Sequence, residues 1–127
     1  MQWGILFAVA MGGAVGSLLR YFVAAAIGGP ASDGFPWGIF AVNVTGGFAM
    51  GIITELTALK LNLSPELRAF VTIGILGGYT TFSTFSLDSA LLIQRGDYTG
   101  AAIYIVGSTV LSILALFTGL WLVRALV

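Results

Sequence analysis

Cysteine and histidine are both missing from this chain of 127 residues. Their absence removes disulfides, thiolate and imidazole metal sites, cysteine nucleophiles and every Ser-His-Asp arrangement, and with them most enzyme chemistry. Charge is scarce as well: Asp, Glu, Lys and Arg make up 8% of the residues, against about 25% in a soluble globular domain. The five basic and five acidic residues cancel, so there is neither a basic patch for nucleic acid nor an acidic tail. What is present is apolar: 58% of the chain is hydrophobic, and 18 glycines supply the small side chains that let membrane helices approach closely. The surrounding solvent is therefore lipid, and the length suits one compact transmembrane domain over residues 1–127.

A helix needs about 20 apolar residues to cross the hydrocarbon core. Polar, Pro and Gly interruptions divide the chain into four such stretches, at about 3–27, 37–58, 67–93 and 99–123. The first lacks a basic start and is longer than the apolar region of a signal peptide, so it is read as a retained span. The intervening loops are Gly28 to Pro36, with Gly-Gly-Pro and Asp33; Lys60 to Glu66; and Arg95-Gly96-Asp97. Ser64 before Pro65 and Glu66 forms a helix start, with an N-cap, Pro in the first position and a carboxylate in the first turn. Trp3, Trp37, Tyr98 and Trp121 fall near span ends, where amphipathic rings favour the headgroup level. Four crossings place Lys60, Arg68 and Arg124 on one side and Arg20 and Arg95 toward the other. So small a bias specifies orientation weakly, and dual insertion is the expectation. No internal repeat is visible, so inverted symmetry would have to come from two copies of the chain. The pairs Gly12/Gly16, Gly47/Gly51 and Gly74/Gly78 suit tight helix contacts, either within a subunit or between subunits.

The third stretch reads Gly74-Ile75-Leu76-Gly77-Gly78-Tyr79-Thr80-Thr81-Phe82-Ser83-Thr84-Phe85-Ser86, with its middle near Thr80. Adjacent glycines followed by threonines, whose hydroxyls compete for backbone bonds, favour a break in the helix. Free backbone groups at that depth must be satisfied by protein, water or an ion, so a break there lines a site or pathway. The alternative is a continuous helix with packing glycines and back-bonded hydroxyls. Phe82 and Phe85 share a helix face with polar neighbours; they are either core or lipid-facing rings, or rings that present electropositive edges to a small anion. Ser83, Thr84 and Ser86 could add hydroxyl donors. Asn43, inside the second span, either donates to an anion or bonds a neighbouring helix. Tyr104, Ser108 and Ser112 recur at every fourth position and form a polar stripe, either a track or hydroxyl-mediated packing. Arg20 is either an interfacial anchor or the cation of a water-filled vestibule. Glu55 and Asp88 lie nearer span ends or an aqueous entrance, and neither is expected to carry protons.

These residues resemble the Fluc family of microbial fluoride channels, long associated with camphor resistance. The resemblance runs through Gly12-Gly13-Ala14-Val15-Gly16 to Arg20, Asn43 with Gly46-Gly47, and Gly74 to Phe85; the run Gly77 to Phe85 is its specific part. It implies an all-α protein of four transmembrane helices with a break in the third, paired as an antiparallel, dual-topology homodimer in the bacterial inner membrane. It further implies two fluoride pathways and a central structural sodium ion held by the backbone carbonyls of Gly77 and Thr80 from both subunits. Asn43, Phe82, Ser83, Thr84 and Phe85 would line the fluoride path, with Tyr104, Ser108 and Ser112 as its polar track and Arg20 in the vestibule. Two other classes compete. A proton-coupled multidrug exporter would want a carboxylate at the centre of the first span, which has none; a non-transporting assembly factor would use the same glycines and hydroxyls for packing alone.

Overall fold

The structure is a computed structural model that describes residues 3–28 and 34–127. Residues 29–33 of the 28–36 loop, with Pro30 and Asp33, lie outside the described residues. Helix α1 spans Trp3–Ile27 and α2 spans Trp37–Leu59. The third stretch is two helices, α3 over residues 65–79 and α4 over Phe82–Gln94. Helix α5, Tyr98–Leu126, completes the chain. Among the described residues four lengths of helix, with α3 and α4 counted as one interrupted length, are long and apolar enough to cross a bilayer. Together with the lipid-like composition, they make this a multi-pass membrane protein.

Local chemistry fixes the helix ends. Ser64 Oγ accepts from the Leu67 amide at 3.2 Å, with Pro65 in the first turn, so α3 starts two residues before the expected limit of 67. Within α3, Ala69–Leu76 is wound as a π-helix, whose hydrogen bonds close one residue later than in an α-helix. Gly96 adopts φ +80°, and the Asp97 amide reaches back to the Leu92 carbonyl at 3.0 Å, ending α4 in a left-handed turn that a side chain would strain. Asp97 then caps α5 by accepting from the Gly100 amide at 2.9 Å. Helix α5 runs to Leu126, three residues beyond its expected end, and Arg124 in that added turn pairs with Glu55 of α2 at 2.5 Å.

Packing rests on two close helix pairs, α1 with α3 and α2 with α5. A Cβ at Gly12 would lie 2.8 Å from Gly74 Cα, one at Gly78 would lie 2.8 Å from the Gly13 carbonyl, and one at Gly16 would run into the Ile75 carbonyl. The α2–α5 seam repeats the device: a Cβ at Gly47 would meet the Ser112 carbonyl at 2.7 Å, and one at Gly119 the Phe48 carbonyl at 2.5 Å. All three glycine pairs singled out in the sequence thus serve contacts inside the chain. Backbone-to-backbone approach of this kind gives dispersion contact where lipid supplies no hydrophobic drive. A small aromatic core closes one end, with Leu92, Ala101 and Tyr104 buried against Phe35, Phe40 and Phe85.

Candidate functional site

The break falls at Thr80 (φ −81°, ψ 157°) and Thr81 (φ −152°, ψ 124°), both extended between helical neighbours. Thr80 still closes the end of α3, because its amide and its hydroxyl both donate to the Leu76 carbonyl, at 3.0 and 2.9 Å. Thr81 opens α4, its hydroxyl accepting from the Thr84 amide at 3.2 Å as an N-cap. The β-branched pair therefore serves two helices at once. Gly46 of α2 makes room for it, since a Cβ there would collide with Thr80 Cγ2 and lie 3.2 Å from the Tyr79 ring.

Two long-range side chains satisfy the opened backbone. The Asn43 amide grips Thr81 on both sides: Nδ2 donates to the Thr81 carbonyl at 3.1 Å, and Oδ1 accepts from the Thr81 amide at 2.9 Å. Arg20 Nη1 donates to the Thr80 carbonyl at 3.3 Å. In an uninterrupted helix the Thr81 amide would bond the Gly77 carbonyl; its capture by Asn43 releases that oxygen from its helical partner. Asn43 thus bonds a neighbouring helix, as one of its two sequence readings has it. Arg20 turns toward the break instead of outward to the nearer end of α1.

An open-sided cavity of about 410 Å³ lies between α2, the break, α4 and α5, and Asn43, Thr81, Phe82, Phe85, Ser108 and Ser112 are among the residues lining it. The Phe82 and Phe85 rings are 5.6 Å apart with planes inclined by 36°; Phe82 is 79% exposed at the open side, while Phe85 is partly buried. Across from them, Ser108 Oγ and Ser112 Oγ are buried and find no hydrogen-bond partner among the described residues. Their situation is unlike that of Thr109 and Thr118 on the same helix, whose hydroxyls donate to carbonyls one turn back at 2.7 and 2.8 Å. A buried hydroxyl left unpaired costs about 1–3 kcal/mol, so these two hydroxyls are disposed for a ligand.

Several sequence candidates lie elsewhere. Tyr104 is fully buried and stands outside this cavity: its hydroxyl donates to Asp88 Oδ2 at 3.1 Å, and its ring packs on Phe85 at 5.2 Å. The expected stripe on α5 thus divides after one turn. Thr84 opens onto a second cavity of about 390 Å³, with Ser17, Arg20 and Asp88 in its wall. Ser83 is exposed, and its hydroxyl lies 3.4 Å from that of Thr81. Thr81 as the partner of Asn43, and Ser17 and Asp88 in the second cavity, carry no such role in the sequence pattern. The available signal was a carboxylate placed 16 residues before a tyrosine, and sequence spacing alone does not bring the two together.

Residues 7–120 match the family model described as CrcB-like protein, Camphor Resistance (CrcB). A protein of Nitrobacter winogradskyi named fluoride-specific ion channel FluC is 48% identical over 126 residues, which cover 99% of this chain and 100% of that protein. Proteins of the same name from Rhizobium etli and Rhizobium meliloti are 52% identical over 122 residues and 50% identical over 119 residues, each alignment covering 94% of this chain and 95% of the relative. A match that spans both helix seams, the break and the cavity leaves one conclusion: the chain belongs to the CrcB family.

Proposed function

We propose that this protein is a passive, fluoride-selective channel of the bacterial inner membrane, without enzymatic activity, that lets fluoride leave the cytoplasm and so lowers its toxicity. The observation that carries this reading is the pair of unpartnered hydroxyls, Ser108 and Ser112, buried in the cavity that Phe82 and Phe85 also line. Fluoride is small and strongly hydrated, and it gives up water only to close donors that replace it. Several modest sites in series then hold the ion loosely enough to release it. Hydroxyls supply the donors, and ring edges supply positive potential without the cost of burying a full charge. Arg20, in the wall of the neighbouring cavity, raises the local anion concentration at the entrance.

The working unit is an antiparallel homodimer with two such paths. The cavity is open-sided and Phe82 is exposed, so one chain leaves the path without a wall. A sodium ion would fit at the two-fold axis. The Gly77 carbonyl has lost its helical partner to Asn43, and the Thr80 carbonyl, which takes one Arg20 hydrogen, keeps a second lone pair. Oxygen donors suit a hard cation, and two chains would double the pair of carbonyls. Bound there, sodium would fasten the two breaks together; the chain's own residues hold the carbonyls in place.

Fluoride efflux from liposomes containing purified protein, with chloride for comparison and no pH gradient, tests the proposal. Rapid fluoride release with negligible chloride release is expected. No fluoride flux from folded, dimeric protein would sink it, and flux that required a proton gradient would favour a coupled exporter.

A further inference from the structure

Asp88 takes no part in the pathway described above; it is 2% exposed and lies in the wall of the second cavity with Ser17, Arg20 and Thr84. A carboxylate so placed is costly unless it is held by donors. One donor is explicit, the Tyr104 hydroxyl at 3.1 Å. Tyr104 is itself fully buried, and its ring contacts Phe85 at a centroid separation of 5.2 Å with planes inclined by 36°. Phe35 also meets Tyr104, edge-on at 5.6 Å and 90°. Tyr104 is therefore fixed at its hydroxyl by Asp88 and clamped at its ring by two phenylalanines, one of which lines the cavity.

We infer that Asp88 is a positioning residue for the anion path: through its hydrogen bond it orients Tyr104, which sets the tilt of the Phe85 ring and hence the edge presented to the passing anion. The inference rests on the fluoride reading of the cavity for its functional consequence, but the ring placement stands by itself. Helix α4 carries Phe82 and Phe85 toward one cavity and Thr84 and Asp88 toward the other. The carboxylate thus lines the cavity on the Arg20 side and not the one that the two phenylalanines line. An attraction between a ring edge and an anion depends on angle, so a ring freed to rock loses selectivity before the fold loses stability. Sequence conceals the relation because Asp88 and Tyr104 lie 16 residues apart on different helices and meet only through space.

The test places 4-fluorophenylalanine at position 85 of the full-length protein in detergent micelles, reads its 19F resonance, and measures fluoride and chloride efflux in parallel. Tyr104→Phe and Asp88→Ala should each shift or broaden the resonance and lower fluoride efflux about tenfold, a change of about 1.4 kcal/mol in barrier. Asp88→Asn, whose side-chain carbonyl still accepts from tyrosine, should restore both signals to within about twofold of wild type. The double variant Asp88→Ala/Tyr104→Phe should lose less than the sum of the two single variants, because both remove the same hydrogen bond. A Phe85 resonance unmoved by Tyr104→Phe would overturn the inference, as would additive losses or no rescue by Asn. A resonance that moves as expected in a protein whose wild type releases no fluoride upholds the ring placement and removes the fluoride reading instead.

Discussion

Hydroxyl groups in this protein divide by what they already hold. Ser86, Ser89, Thr109 and Thr118 donate to carbonyls one turn back and are satisfied without a ligand. Ser108 and Ser112 are not. Replacing either by Ala should therefore leave thermal stability unchanged or raise it by up to about 1 kcal/mol, since an unpaired buried group is removed. Fluoride efflux should fall about tenfold in the same variants. A loss of stability instead would show that the hydroxyls are structural. Asn43 behaves oppositely, because both of its amide ends are engaged by Thr81. Asn43→Asp keeps the acceptor but sets a second oxygen against the Thr81 carbonyl, so a drop of about 2 kcal/mol or more in unfolding free energy is expected along with lost flux. The chemistry of each residue was legible in the sequence, down to the break at Thr80 and Thr81. The partner of Asn43 was not, because it lies 38 residues away, at the break between two other helices.

At the scale of elements, the glycines decide how closely the helices meet. Gly16 faces the Ile75 backbone of α3, whereas a Cβ at Gly13 would meet nothing within 4 Å. Gly16→Ala should cut the yield of folded protein and cost about 1–3 kcal/mol, the usual penalty of overpacking, while Gly13→Ala should be neutral in the same detergent melting experiment. Periodicity located the spans to within a few residues and identified which glycines recur at helical spacing. It left open whether those glycines faced another helix of the same chain or a second subunit, because the same spacing serves both. The choice depends on which helices lie side by side. Short loops favour sequential neighbours, yet the closest pairs here are α1 with α3 and α2 with α5.

For the whole molecule, orientation follows from charge. One basic residue is tied to an acidic partner at each end, Arg124 to Glu55 at 2.5 Å and Arg95 to Asp97 at 3.5 Å, and the Lys/Arg difference between the two sides is one residue. Because the chain has no native cysteine, Lys60→Cys gives a single reporter. About half of the chains should react with an impermeant thiol reagent from outside intact cells, and the rest only after permeabilisation. Leu61→Arg together with Asn62→Arg should fix one orientation and abolish flux, because the proposed antiparallel pair needs both. Flux should return on co-expression with a chain biased the other way. Labelling from one side only, with flux intact, would contradict the dual-topology dimer.

The solvent, the number of crossings, the place where the third span gives way and the near-balance of charge are all written in the order of residues, because hydropathy, helix propensity and charge act locally along the chain. Only the tertiary structure decided that Asn43 and Arg20 satisfy the broken backbone, that Ser108 and Ser112 face the phenylalanines, and that Tyr104 leaves their row for Asp88. Those outcomes depend on which helix faces meet, and that is set by the glycine seams that draw α1 to α3 and α2 to α5.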